Sequence, residues 1–299
     1  MKRKYLFFIF LVVLLFIVIC SVLLFLGCQD SKVVVQKNIV YGNGAVINIW
    51  IDSYSRLDVL KDHNVKYLFV DVGDTDSDGK IKTPAGEITD FLDFVHAYEK
   101  KNGYDFILLA YSEVITDDYN INSPAFKDNF VSDYVRLSSI GFDGVLVDIE
   151  NIKYQDRGTY LGILDELNRS MPNSIISAYA GAIGYDPSNS WEWTQDFYSS
   201  VSSKVDIISA PAYDSDKTTN DEYRSYVKDQ VSRINSGDYK SYFLFAVPTH
   251  KAAPETIGNS LSAYKESFAN NPKFLGVTVF AEWTASQDDW KTFEKYLNP

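Results

Sequence analysis

Residues 141–150 read GFDGVLVDIE, and this segment gives the clearest indication of the fold. It contains an apolar run rich in β-branched residues that ends in two carboxylates two positions apart. A short, nearly continuous apolar run is typical of a strand that is buried on both faces. Residues i and i+2 of a strand point to the same side, so Asp148 and Glu150 are predicted to project together from its carboxyl end.

Similar apolar runs recur along the chain, and there are eight of them in all. They cover residues 45–51, 66–72, 105–111, 143–149, 174–180, 205–211, 242–248 and 275–281. Between them lie stretches with helical spacing of apolar residues, such as Ile88, Phe91, Leu92 and Val95. Eight alternating strand–helix units predict a closed α/β barrel of the (β/α)8 TIM type. An open doubly wound sheet is the alternative, although the sequence after Ile51 lacks the glycine-rich loop typical of such sheets.

The N-terminal residues predict attachment to a membrane. Residues 5–27 are almost wholly apolar and follow three basic residues, which is typical of a helix that spans a bilayer with the remaining chain outside the cell. The length favours an uncleaved signal anchor over a cleaved secretory signal. A lipoprotein signal is the alternative, because residues 25–28 resemble a lipobox with Cys28 as the lipidated residue. We therefore expect an anchor or signal at 1–28, a linker at 29–40 and a folded domain at 41–299.

Charge and cysteine content narrow the function classes. The chain has 299 residues and a formal net charge of −12, and an acidic surface argues against nucleic acid as a partner. Both cysteines, Cys20 and Cys28, lie in the N-terminal segment. The folded domain is therefore predicted to have neither a disulfide nor a cysteine-based metal site, and to depend on its core for stability.

Carboxylates and aromatic rings lie where the predicted strands end, which in a parallel barrel is the face that carries active sites. The candidate residues are Trp50, Asp148, Glu150, Tyr213, Asp214, Glu282 and Trp283. Two adjacent carboxylates repel each other, so that one retains its proton to higher pH. A carboxylic acid that is protonated near neutral pH is what cleavage of a glycosidic bond requires. The competing interpretation is an ion-paired strand end without a chemical role.

The chain resembles glycoside hydrolase family 18, the chitinases and endo-β-N-acetylglucosaminidases. That family is a (β/α)8 barrel whose fourth strand carries Asp-Gly-x-Asp-x-Asp-x-Glu, and residues 143–150 match this motif except at Leu146. The Tyr-Asp pair that ends the family's sixth strand matches Tyr213 and Asp214. The Trp at the end of its eighth strand matches Trp283.

The resemblance implies a substrate-assisted mechanism and a role for each matched residue. Glu150 would protonate the glycosidic oxygen, while the substrate's own acetamido oxygen attacks the anomeric carbon. Asp148 would orient the acetamido group, and the Tyr213 hydroxyl would donate a hydrogen bond to it. Trp283 would pack against its methyl group, and Asp214 would bind a sugar hydroxyl.

Together these features predict a membrane-anchored, outward-facing glycoside hydrolase without a cofactor. The expected substrates are glycans that contain N-acetylhexosamine, such as cell-wall polysaccharide, with Trp50 and Glu282 as further contacts. One alternative is a retaining glycosidase of another barrel family, with Asp214 or Glu282 as a carboxylate nucleophile. Another is a glycan-binding barrel without catalysis, which Leu146 favours.

Residues 74–79, DTDSDG, match the first half of a calcium-binding loop. Asp74, Asp76 and Asp78 take positions 1, 3 and 5, and a glycine takes position 6. The bidentate Glu expected at position 12 is replaced by Ala85, and a strand precedes the loop where a helix is expected. The pattern favours a solvated turn, with a calcium site as the alternative.

Overall fold

The computed structural model describes residues 37–184, 186, 188–268 and 270–297. Within them eight parallel strands of one sheet alternate with eight α-helices, so the predicted (β/α)8 barrel is confirmed. The predicted anchor and Cys28 lie outside the described residues. Among the helices that are described, none is both long enough and apolar enough to cross a bilayer.

The barrel strands closely follow the eight apolar runs. They are β1 (Asn43–Asn48), β2 (Val65–Asp71), β3 (Ile107–Tyr111), β4 (Gly144–Glu150), β5 (Ile175–Tyr179), β6 (Ile207–Pro211), β7 (Tyr242–Pro248) and β8 (Phe274–Phe280). Each pairs in parallel with the next, and pairing of Gly44 with Thr278 joins β1 to β8. This last ladder closes the sheet, which rules out the open doubly wound alternative.

The helices surround the barrel. They are α1 (Tyr54–Asp62), α2 (Ala85–Asn102), α3 (Pro124–Ile140), α4 (Arg157–Ser170), α5 (Gln195–Ser202), α6 (Asn220–Ser236), α7 (Ile257–Ser267) and α8 (Gln287–Leu297). Ile88, Phe91, Leu92 and Val95, the predicted apolar face of α2, are all buried. Burial of such faces against the strands is what stabilises the outer layer of the barrel.

Alternate residues of β4 face two different cores. Val145, Val147 and Ile149 belong to the large core between the strands and the helices, whereas Leu146 belongs to a smaller core inside the barrel. Asp148 shares the inward side with Leu146, two residues further along the strand. The strand therefore has an apolar layer inside the barrel and carboxylates at its mouth.

The start of β4 explains the glycine in the motif. A Cβ atom on Gly144 would lie 2.0 Å from the carbonyl oxygen of Ile175, so β4 and β5 approach too closely for a larger residue. The carboxylate of Asp143 accepts a hydrogen bond from the amide of Leu108 at 2.8 Å, and its carbonyl accepts one from the amide of Ile175 at 2.9 Å. These contacts join three strands and set the register that brings the acids to the mouth.

Two features above the barrel mouth were not predicted from the sequence. A three-residue strand, Glu113–Ile115, follows β3 and pairs in parallel with the end of β4. In the β5–α5 loop, Ala182–Ile183 pairs with Glu192–Trp193. The side chain of Gln230 on α6 hydrogen-bonds to both the N–H and the carbonyl of Ile183, which fixes this loop against the barrel.

Candidate active site

A cavity of about 620 Å³ opens at the carboxyl-terminal end of the barrel. Asp148 and Glu150 line it from the end of β4, and Tyr213 and Asp214 line it from the loop after β6. Four of the residues chosen from the sequence thus lie around one cavity. Its remaining wall is formed largely by the β5–α5 loop and by α6.

Asp148 is the most enclosed acid of the cavity, with 7% of its surface exposed. Burial raises its pKa well above the usual range of a carboxyl, and the charges of Glu150, Glu113 and Asp71 raise it further. Its Oδ1 atom is buried and has no hydrogen-bond partner among the described residues. The apolar side chain of Leu146 comes before it on the inward side of the strand, so β4 itself supplies no partner from below.

Glu150 lies at the cavity mouth and is partly buried. Burial raises its pKa to about 7, with further contributions from the negative charges of Glu113 and Asp214. A carboxyl that titrates near neutral pH can give a proton to a leaving group and later accept one from water. Glu150 therefore has the ionisation that a general acid needs.

The chain turns sharply immediately after Glu150. Asn151 has a φ of 55°, in the left-handed region that Asn tolerates better than most residues. Thr116 donates a hydrogen bond to the Asn151 carbonyl, and Ser190 donates one to its side-chain oxygen. Tertiary contacts on both sides thus maintain this conformation and fix the backbone next to the acid.

Tyr213 presents a protonated phenol to the cavity. Tyr179 at the end of β5 donates a hydrogen bond to its hydroxyl oxygen at 3.0 Å. Phe280 at the end of β8 stacks on its ring, with 5.3 Å between centroids, and His250 meets the ring edge-on at 5.2 Å. Burial raises the pKa of Tyr213 well above its usual value, so the phenol keeps its proton and can donate it in a hydrogen bond.

Asp214 is held in place by two neighbouring side chains from the β7–α7 loop. It has a φ of 56°, and Lys251 forms an ion pair with its carboxylate. The buried carboxylate of Glu255 accepts the backbone N–H of Asp214 at 2.9 Å and that of Ser215 at 2.8 Å. Charge-assisted hydrogen bonds of this kind are strong, and here they keep the loop after Tyr213 in a single conformation.

The structure does not bring the other three predicted contacts to the cavity. Trp283 and Trp50 are 44% and 56% exposed, and neither side chain lines the cavity. Glu282 is buried beside α1, where its Oε1 accepts a hydrogen bond from Nε of Arg56 at 3.0 Å. The aromatic surface against Tyr213 comes from Phe280, which the sequence analysis passed over in favour of the tryptophan three residues later.

Glu113 and Trp191 are among the residues of the cavity wall that were not predicted from the sequence. Glu113 lines the cavity from the short strand beside β4, and Trp191 lines it from the β5–α5 loop with 51% of its surface exposed. Position at a strand end could have identified Glu113. The local sequence does not indicate that Trp191 lines the cavity, because the position of its loop depends on distant contacts such as the hydrogen bond to Gln230.

Residues 74–79 form a turn that is held by the side chain of Asp76. The Asp76 carboxylate accepts the backbone N–H groups of Asp78 and Lys80, each at 2.9 Å. Asp74 lies 3.8 Å from the ammonium group of Lys82. In the part of the chain that the structure describes, no three His, Cys, Asp or Glu side chains are grouped as a metal site requires. The calcium alternative therefore receives no support from the geometry.

Sequence comparisons leave the chain without a match: no family model and no curated protein matches it. Solved structures do match it. A class V chitinase from Pseudomonas fluorescens is 13% identical, with a TM-score of 0.62 over 86% of this chain and 100% of that one. A chitinase from Chromobacterium violaceum is also 13% identical, with a TM-score of 0.60 over 86% and 99%.

A third similar structure is the spore cortex-lytic enzyme SleL from Bacillus megaterium. It is 10% identical, with a TM-score of 0.61 over 87% of this chain and 75% of that one. At such identities the likeness concerns the fold, and it agrees with the resemblance that the motif at residues 143–150 indicated. In fold, the chain is similar to chitinases and to a spore cortex-lytic enzyme, as a divergent (β/α)8 barrel.

Proposed function

We propose that this protein hydrolyses glycosidic bonds in glycans that contain N-acetylhexosamine, with Glu150 as the general acid. The observation that carries the proposal is the pair of carboxyls at the end of β4, with Glu150 at the wall of an open cavity beside the buried Asp148. Burial in this position raises the pKa of Glu150 to about 7. The fold shared with chitinases supports the substrate class. The cavity also offers hydroxyl, carboxylate and aromatic groups, which suit a polar ligand with flat apolar faces.

The proposed reaction is substrate-assisted. Glu150 gives its proton to the glycosidic oxygen as the bond to the anomeric carbon breaks, and the acetamido oxygen of the same sugar attacks that carbon. Asp148 binds the acetamido N–H and stabilises the positive charge of the cyclic intermediate, while Tyr213 donates a hydrogen bond to the acetamido oxygen. Water then opens the intermediate and returns a proton to Glu150, so the anomeric configuration is retained.

The surroundings of the other carboxylates favour this route over an enzyme nucleophile. Asp214 is paired with Lys251, and an ion-paired carboxylate is a weaker nucleophile than a free one. Glu282 is bound to Arg56 and does not line the cavity. Neither is therefore well suited to form a covalent bond to the sugar.

We further propose that the protein works at the outer side of a membrane on extracellular or cell-wall glycan. The support is the apolar segment at residues 5–27 with its preceding basic residues. The acidic net charge fits a domain that acts on sugars better than one that binds nucleic acid.

Comparison of two matched oligosaccharides tests the proposed function. The full chain is incubated with an N-acetylglucosamine hexamer and with the same hexamer after removal of its acetyl groups. We expect cleavage of the acetylated hexamer alone, because the free amine has no carbonyl oxygen to attack the anomeric carbon. Equal cleavage of both would favour a carboxylate nucleophile, and binding of the acetylated hexamer without cleavage would favour a glycan-binding protein.

A further inference from the structure

The strongest unexplained feature of the cavity is the unpartnered Oδ1 atom of Asp148. The residue is 7% exposed, and this oxygen has no hydrogen-bond partner in the described part of the chain. A buried carboxyl oxygen without a partner is costly, since the water it had in the unfolded chain is not replaced. A donor for this atom is therefore to be sought among the side chains that face Asp148.

The neighbouring strand places one carboxyl in the right position. In the parallel ladder between Glu113–Ile115 and β4, Glu113 stands opposite Asp148 and Val114 stands opposite Ile149. Val114 and Ile149 belong to the outer core, so Glu113 and Asp148 both point to the cavity. Register partners on adjacent strands have their side chains close together, and both of these residues line the cavity.

Other groups near Asp148 are less suited to the task. The Asp71 carboxylate at the end of β2 is held by the backbone N–H of Gly73 at 2.8 Å. Glu150 points from the same strand to the cavity mouth, where it is proposed to serve the substrate. The phenols of Tyr111, Tyr179 and Tyr213 also line the cavity, but burial raises the pKa of each well above its usual value, so they keep their protons and do not share one with a carboxyl. Among the carboxyls around Asp148 that the structure describes, Glu113 is the one whose register position places it beside Asp148 without another assigned partner.

We propose that Glu113 shares one proton with Asp148, and that it is a positioning residue for the catalytic pair. The protonated carboxyl of Glu113 donates its O–H to Oδ1 of Asp148, so the two carboxyls carry one negative charge between them. Asp148 thereby receives a hydrogen bond from the neighbouring short strand, because the apolar Leu146 on its own strand cannot donate one. The role of Glu113 in catalysis rests on the proposed function, whereas the shared proton does not.

The shared proton also has a consequence for Glu150. Its pKa is raised by burial and by the nearby charges of Glu113 and Asp214. Partial burial raises the pKa of the Glu113 carboxyl above its usual value, and the charges of Asp71 and Asp74 raise it further. Because the pair carries one negative charge both before and after Glu113→Gln, this substitution is expected to leave the pKa of Glu150 and the alkaline limb of the activity profile in place, whereas loss of an independent charge at Glu113 would lower both.

The test is a carboxyl-carbon NMR titration of the full chain, labelled at Asp and Glu. Replacement Glu113→Gln keeps the shape and supplies an amide N–H to Oδ1, which stabilises the ionised form of Asp148. Replacement Glu113→Ala leaves Oδ1 without a donor. In the unmodified protein we expect the carboxyl signals of Asp148 and Glu113 to show the same two titration steps, one at low pH and one at high pH. In Glu113→Gln we expect Asp148 to lose the step at high pH, and in Glu113→Ala we expect it to titrate at higher pH than in Glu113→Gln.

Two outcomes would overturn the proposal. If the signals of Asp148 and Glu113 have no titration step in common in the unmodified protein, the two carboxyls share no proton. If the Gln and Ala variants shift the Asp148 titration equally, Glu113 acts only as a charge. Glu192→Gln is the matched control in the same cavity and should leave the Asp148 titration in place. The titration needs no substrate, so its result stands apart from whether the protein cleaves glycans.

Discussion

At the scale of single residues, Glu150 and Asp148 show how position on a strand sets ionisation. Their spacing of two residues predicted that they lie on one side of β4, and the structure has both of them at the cavity. Their pKa values are raised mainly by burial, whose extent depends on the loops that cover the strand end. Spacing could therefore predict the pair, while only the tertiary structure shows that Asp148 is enclosed and Glu150 is more open.

The tryptophans provide a prediction at the same scale. Trp191 lines the cavity with half of its ring surface exposed, which suits stacking against a sugar face. We expect Trp191→Ala to raise the KM for an N-acetylglucosamine hexamer about tenfold, the equivalent of about 1.4 kcal/mol, with a smaller change in kcat. Steady-state kinetics on both variants, Trp191→Ala and Trp283→Ala, would measure this.

Trp283→Ala is the matched comparison, because its exposed ring does not line the cavity and should matter less. A larger KM effect from Trp283→Ala than from Trp191→Ala would contradict the observed placement. Trp283 was predicted because it follows the eighth strand, where the family that the chain resembles has a tryptophan. Strand geometry instead directs Phe280 against Tyr213, which no pattern of residue types could distinguish.

At the scale of the elements, the barrel strands were predictable and the segments between them were not. Buried parallel strands are apolar on both faces, and this signal is strong enough to find all eight with ends displaced by a few residues. The strand Glu113–Ile115 is too short to have a pattern of its own and exists because β4 offers it a partner. The β5–α5 loop is attached through contacts distant in sequence, among them the side chain of Gln230 and the hydrogen bond from Ser190 to Asn151.

At the scale of the whole molecule, closure of the barrel brings residues from distant parts of the chain to one mouth. It also buries carboxyls whose pKa values are raised in the folded state, Glu150 to about 7 and Asp148 well above its usual value. In the unfolded chain these groups ionise near their usual pKa values. At any pH between the usual pKa and the raised pKa of the folded state, the protein therefore takes up protons when it folds. These acids therefore lower the free energy of unfolding as pH rises from about 4 to about 7.

This linkage predicts that Glu150→Gln stabilises the protein at alkaline pH. The amide has nearly the same shape and no charge to bury, so the free energy of unfolding should rise by roughly 1–3 kcal/mol at pH 8. At pH 4 the native carboxyl is already protonated and the two proteins should be almost equally stable. Chemical denaturation of both proteins at the two pH values measures this, and an identical stability difference at both would contradict the raised pKa.

The proposed reaction depends above all on Glu150, which protonates the leaving group of an N-acetylated glycan. Its most direct test is the initial rate of cleavage of an N-acetylglucosamine hexamer near neutral pH, measured for the unmodified protein and for Glu150→Gln. We predict that the substitution lowers kcat by about 10²–10⁴-fold, the usual contribution of a general acid, in a variant that remains folded. Equal rates for the two proteins would exclude Glu150 as the general acid.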